Sequence, residues 1–245
     1  MMGHRLLMAA SNLGLTYVET VLQDKPVAFW QLNETSGTVA KDSSGNGNNG
    51  TYNGTGLVLA NYTAPLGIGG NAPKFDGSTA YVTGSQLITS AVASVTLETW
   101  MNFEGISAPN GGCFLKNGQY NNGYAVGNGG TDFDNAGINI IGLYEVRSWN
   151  ATTVAIPLSG WNHIVMVIGA SSESTFYLNG AQVATNTNAA INNPGAEWLI
   201  GADDNNGTGA ASLARFFAGA LSNAAIYGTA LTATQILNHY NAGIS

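Results

Sequence analysis

Thr175-Phe176-Tyr177-Leu178-Asn179-Gly180-Ala181-Gln182-Val183-Ala184-Thr185 is the stretch that decides the fold class. Two short runs rich in β-branched and aromatic residues flank Asn-Gly, the pair that most readily supplies the two positive φ angles of a tight hairpin. This predicts two antiparallel strands. Upstream, Ile164 to Ile168 is apolar at every position, as expected of a strand covered on both faces at the centre of a sheet. Earlier still, Val95 to Phe103 alternates. Val95, Leu97, Met101 and Phe103 fall on one face, and Thr96, Glu98, Trp100 and Asn102 on the other.

The rest of the chain carries the same grammar. Lys74 to Val82 reads as two strand ends around Asp76-Gly77, and Val27 to Leu32 as a strand carrying Phe29 and Trp30. Helical spacing is confined to the ends. Tyr17, Val18, Val21 and Leu22 recur at helical intervals before Pro26, whose ring clashes with a continuing helix. Near the C-terminus Thr232 and Gln235 form a capping box for a helix carrying Ile236, Leu237 and Tyr240, with Gly243 as its expected stop. Many short strands, 33 glycines, six prolines and no alternating βαβ pattern predict an all-β, two-sheet antiparallel sandwich with short N- and C-terminal helices. The expected organisation is an N-terminal arm and short helix over 1–24 and one sandwich over 25–245, a size a single sandwich can reach.

Composition narrows the function. Only 9% of residues are charged, against about 25% in an average soluble domain, so the surface relies on Asn, Ser, Thr and Gly. Such a surface suits sugar-binding faces and exposed fibres or shells, and equally a stable extracellular domain. The net charge is −7 with seven Lys and Arg in all, which offers no basic stripe for a phosphate backbone; nucleic acid is not an expected partner. One cysteine, Cys113, rules out a disulfide framework within the chain. The apolar run from Leu6 to Ala10 is shorter than the roughly seven to fifteen residues of a secretory h-region, so no signal peptide is expected. No stretch approaches a membrane span.

Several segments, in order, resemble the laminin-G-like domains of the concanavalin-A-like lectin and glucanase superfamily. They are Pro26 to Gly37, the Asp42 to Gly50 loop, Phe75 to Ser78, Val95 to Trp100 and Gly160 to Val165. Phe176 to Gly180, Leu199 to Gly201, and Phe217 through Leu231 complete the series. The resemblance implies two curved sheets in a jelly roll, with Trp30, Trp100 and Trp161 as core tryptophans. It also implies an acidic pair after the Phe-x-Gly strand and an Asp in the hairpin turn. Here Ser222, Asn223 and Asn179 stand at those places, which removes carboxylates that could hold calcium.

Glycosidases of that superfamily need two carboxylates about 5 Å apart for retaining hydrolysis. Glu98 is the only acidic residue on its strand. His4, His163 and His239 neighbour no plausible Ser or Cys nucleophile. The chain is therefore expected not to be an enzyme. Calcium, if bound, would take oxygens from the Asp42 to Asn49 loop, with Asp42 and Asn46, or from Asp203 and Asp204; the alternative for each is a solvated turn. Glycan binding would use rings for stacking and amides for hydroxyls. The candidates are Tyr120, Asn121, Asn122, Tyr124, Asp132 and Trp149, though Tyr124 and Trp149 serve equally well as sheet-packing residues.

Two functions fit these features. One is a glycan-binding module. The other is a structural or decoration protein of a phage virion, capsid or tail, with Leu6 to Leu15 docking on a neighbouring copy or another virion protein. The two are compatible. An extracellular or bacterial cell-surface adhesin ranks behind them.

Overall fold

The computed structural model describes residues 14–88, 93–104, 111–118, 123–129, 139–144, 149–169, 173–187, 197–204 and 212–245. α1 (Tyr17–Gln23) precedes β1 (Ala28–Trp30), β2 (Val39–Ala40), β3 (Gly50–Asn53), β4 (Val58–Thr63), β5 (Asn71–Asp76) and β6 (Tyr81–Gly84). Next come β7 (Val95–Phe103), β8 (Gly112–Asn117), β9 (Tyr124–Asn128), β10 (Asn139–Tyr144), β11 (Trp149–Ala155) and β12 (Asn162–Ile168). The chain ends with β13 (Glu173–Leu178), β14 (Ala181–Thr187), β15 (Trp198–Ile200), β16 (Asp203–Asp204), β17 (Leu213–Ala214), β18 (Ala218–Tyr227) and α2 (Ala233–Ile244).

Two eight-stranded antiparallel sheets result. Sheet A runs β14-β13-β12-β7-β18-β5-β4, with β1 also paired to β18. Sheet B runs β11-β10-β9-β8-β15-β6-β3-β2. Asn179 and Gly180 take φ of 52° and 78° between β13 and β14, the twist that joins two strands in a tight hairpin. The Asp76-Gly77 turn does something else: β5 lies in sheet A and β6 in sheet B, so this turn crosses between sheets rather than closing a hairpin. Both oxygens of Asp76 accept from the backbone or hydroxyls of Ser78 and Thr79, and one from Ala80 N–H, which fixes the crossing.

The alternation of β7 reads out directly. Val95, Leu97, Met101 and Phe103 enter the core between the sheets, with Trp30, Phe75, Phe114, Val126 and Leu221. Trp198 joins them, its ring 3.8 Å from that of Trp30. Gly50 and Gly84 form the slot for it, since a Cβ at either would lie within 2.3 to 2.6 Å of the indole. β12 is apolar on both faces because both are covered: Ile164, Met166 and Ile168 point inward, Val165 and Val167 outward.

A second core lies on the outer face of sheet A, under the two helices. Tyr17 and Val21 of α1 and Ile236 of α2 close over Phe29, Trp100, Val165, Tyr227 and Leu231. Both helices start on capping boxes, Thr16 with Glu19 and Thr232 with Gln235. Gly243 does not stop α2, which continues to Ile244. Instead it lets the helix lie on Trp100, for a Cβ there would meet the indole at 2.3 Å. Of the three tryptophans expected in the core, Trp30 and Trp100 are buried, whereas Trp161 is half-buried at the rim and donates its N–H to the Thr63 carbonyl at 2.9 Å.

Candidate functional site

Sheet B positions the residues that could meet a sugar. The registers Trp198↔Asn117, Asn117↔Tyr124, Tyr124↔Tyr144 and Leu143↔Trp149 align the ends of five neighbouring strands. Segments 119–122 and 145–148 therefore spring from adjacent hairpins at one end of the sheet. Tyr120, Asn121 and Asn122 belong to the first of these segments and lie outside the described residues; Trp149 opens β11 immediately after the second. Asp132 also lies outside the described residues. Its segment leaves from Asn128 and returns at Asn139, and Asn128 pairs with Gly112 and Ile140 at the opposite strand ends. Strands of this length put the two ends about 15 Å apart. The topology groups the Tyr120 and Trp149 segments and separates Asp132's attachment from them.

Tyr124 is a packing residue. Its ring is buried between the sheets, its hydroxyl accepts from Asn117 Nδ2 at 3.1 Å, and burial pushes the phenol's pKa up.

The Asp42 loop is held by its own donors. Asp42 Oδ1 accepts from the N–H groups of Phe29 and Ser44, and Oδ2 from Ser44 Oγ and the Asn48 N–H, all within 2.8 to 3.0 Å. Four donors fill the four lone-pair sites of a carboxylate. Asn46 turns its amide N–H₂ to the Pro26 and Val27 carbonyls, and Trp30 Nε1 donates to Asn48 O at 2.8 Å. The result is a clamp joining β1 to the loop, in which the Asp42 carboxylate has no lone pair left for a hard cation.

Asp203 and Asp204 are not a solvated turn. Both carboxylates are buried, and Lys116 Nζ, also buried, donates to Oδ1 of each. Arg215 Nε stands 3.7 Å from Asp203 Oδ2. Burial works against the Lys116 ammonium, but the two carboxylates outweigh it and raise its pKa. Lys116 and Arg215 together bring the two positive charges that a divalent ion would supply, and Lys116 takes the place between the carboxylates, so this pair does not fit calcium either. Among the described residues no group of three or more His, Cys, Asp or Glu side chains gathers around a metal-sized site.

The most elaborate polar cluster is one the sequence pattern did not assemble. Glu98, fully buried on the outer face of β7, accepts from Tyr17 and Tyr227 hydroxyls at 3.1 and 2.8 Å and faces His163 Nε2 at 2.8 Å and His239 Nδ1 at 3.0 Å. Burial alone would raise the Glu98 pKa; the His239 charge and the hydrogen bonds from both histidines outweigh it and hold the carboxyl well below its usual range. A carboxylate closed in by four donors has no lone pair for a reacting group, so it is no glycosidase acid or nucleophile. Its signal in the sequence was the lone acidic residue on a half-apolar strand, with two histidines reading as a buried strand residue and a helix residue.

A family model for the concanavalin A-like lectin/glucanases superfamily matches residues 76–237, well over half of the chain. The chain belongs to that superfamily. Among solved structures, domain 4 of AbnA, an extracellular arabinanase of Geobacillus stearothermophilus in complex with arabinotriose, is similar. It has a TM-score of 0.64 and 19% identity over 88% of this chain and 98% of that one. The binding domain of botulinum neurotoxin DC in complex with rat synaptotagmin II matches at TM-score 0.63 and 11% identity, over 91% of this chain and 52% of the other. The same domain in complex with SialylT matches at TM-score 0.63 and 12% identity, over 90% and 51%. This superfamily member thus spans about half the length of the toxin binding domains. No curated protein sequence matches it.

The structure also places the residues at which the sequence resemblance implies carboxylates. Ser222 and Asn223 are buried, Asn223 takes a φ of 53° at a register shift in β18, and its Nδ2 donates to Ser222 Oγ at 2.7 Å. A neutral pair folded onto itself occupies the place where an acidic pair is usual. Asn179, in the hairpin turn, accepts the His163 N–H at 2.8 Å and donates to Asn162 Oδ1 at 3.2 Å.

Proposed function

We propose that this chain is a non-catalytic glycan-binding module. The observation that carries the reading is the emergence of segment 119–122, Gln-Tyr-Asn-Asn, and of segment 145–148, flanked by Tyr144 and by Trp149-Asn150, from adjacent hairpins at one end of sheet B. Rings there give a sugar face to stack on, and the asparagines give amides for its hydroxyls. Two similarly folded domains are complexed with arabinotriose and with SialylT, which supports sugar as the ligand class. The carboxylates that could serve catalysis are engaged structurally: Glu98 by four donors, Asp203 and Asp204 by Lys116.

The module is displayed outward, on a virion capsid or tail in our reading, with the segment ahead of α1 contacting neighbouring copies or other virion proteins. An extracellular or bacterial cell-surface lectin is the alternative. Deleting residues 1–13 tests the display: loss of assembly with unchanged sugar binding supports it, and unchanged assembly refutes it.

A glycan array probed with the purified chain, with calcium and again with chelator, tests the binding. Binding that survives chelation is the expected result, because neither acidic candidate fits a cation. Binding abolished by chelator would place calcium in the site and overturn the metal-free reading. Absence of binding in both conditions would overturn the glycan reading itself.

A further inference from the structure

Every contact around Glu98 is met by one proton arrangement, and His239 is where that arrangement is forced. His239 Nδ1 lies 3.0 Å from Glu98 Oε2, and its Nε2 lies 3.0 Å from Asp24 Oδ2, the residue that caps α1. A neutral imidazole has a single N–H and can donate to only one of two flanking carboxylates; the imidazolium donates to both. His163 differs, since its Nε2 faces Glu98 while its Nδ1 has no hydrogen-bond partner, so one N–H satisfies it. The groups facing this pair come from every packed element. They are Tyr17 and Asp24 at the two ends of α1, His163 of β12, Tyr227 of β18, and Gln235 of α2, which donates to the other Asp24 oxygen at 2.6 Å.

We infer that His239 is a proton-operated latch, whose imidazolium ties α2 at once to sheet A and to α1 and whose deprotonation loosens the hold of α2 on α1. The two carboxylates are not equivalent. Glu98 is fully enclosed, whereas the Asp24 side chain is 18% exposed. A buried carboxylate left without its donor costs more than one that can turn to water. On deprotonation the remaining proton therefore stays on Nδ1, towards Glu98, and the Nε2 lone pair is left facing Asp24. Repulsion then replaces one of the two contacts, from His239 and Gln235, by which α2 holds the end of α1.

The pKa direction agrees. Burial lowers the His239 pKa, but the charge and hydrogen bond of Glu98, with those of Asp24, outweigh it and raise the value above the usual 6.5. The latch is closed below about pH 6.5 and opens as pH rises through the raised value. α2 itself stays seated, because Ile236, Gly243 and the stacking of Tyr240 on Trp100 at 5.9 Å do not depend on the proton. The moving part is α1, the element through which residues 1–13 join the sandwich.

Nitrogen-15 NMR of the histidines in the full chain, recorded from pH 5 to 10 alongside amide hydrogen exchange, tests the latch. His239 is expected to keep its second proton to higher pH than a free imidazole and then to become the Nδ1–H tautomer. Exchange protection of residues 17–23, corrected for intrinsic base catalysis, should fall about tenfold or more in the same step, while β7 and β12 keep theirs. Asp24→Asn should abolish that step and lower the pH at which His239 titrates. A neutral His239 at pH 6 would overturn the proposal, as would flat α1 protection through its titration. Loss of β7 protection in parallel would show general loosening instead of a latch, and so would also overturn it.

Discussion

At the centre of sheet A, over β7, β12 and β18, both faces are sealed from water, by opposite means. The inner face is closed by apolar matching: Leu97, Met101, Ile164, Met166 and Leu221 meet sheet B and the Trp30–Trp198 pair. The outer face carries a carboxylate, two imidazoles and two phenols beneath the helices, held by a network in which each group needs its partner. Burying apolar area tolerates small misfits; burying Glu98 tolerates none of its donors being absent. The inner face should therefore respond to volume, and the outer face to charge and protons.

That contrast can be broken at either face. Trp198→Ala empties the slot formed by Gly50 and Gly84 and should cost about 3–5 kcal/mol in denaturant unfolding, with no change in the pH dependence that remains. Glu98→Gln keeps the outer volume but aims an N–H₂ at the surrounding donors. It should cost about 3 kcal/mol, near the value for a buried pair that loses one partner, and should flatten the pH profile. If Glu98→Gln is neutral, the network is ornamental and the outer face is held by packing alone. Gly243→Ala drives a methyl into Trp100 and should cost about 1–3 kcal/mol.

The pH profile sharpens the comparison further. The depressed Glu98 pKa adds stability that is complete above about 4.5 and is lost as pH falls through the folded-state value. The raised His239 pKa adds stability that is complete below about 6.5 and is lost as pH rises through its folded-state value. The melting temperature should therefore peak between about pH 4.5 and 6.5 and decline on both sides. Asp24→Asn should have the smallest effect, removing only part of the alkaline decline. A profile that is flat across both limbs would contradict the account of the outer face.

The sequence revealed these regions unequally. The inner face was legible because period-2 alternation in Val95 to Phe103 and the Asn179-Gly180 turn are local signals. Trp198 was not, because its slot is made by Gly50 and Gly84, far off in the chain, and a missing side chain leaves no pattern. The Asp42 loop looked like a cation loop for the same reason it makes a good clamp: a carboxylate amid Gly and Asn attracts backbone N–H groups as well as it attracts ions. Asp203-Asp204 looked like a solvated turn because their partners Lys116 and Arg215 lie elsewhere in the chain, brought close by sheet B and the short β16–β17 pair. Glu98 could be seen as a lone acid; that His239 would reach it from the last helix depended on α2 lying across sheet A.

Glycan binding at the hairpin end of sheet B is tested most directly by affinity for the array's best sugar in the wild type and in Trp149→Ala and Tyr120→Ala. The account predicts about a tenfold or greater loss in at least one variant, the scale of a removed stacking ring, with melting temperature unchanged. Unchanged affinity in both variants, or a loss that merely follows unfolding, would contradict it.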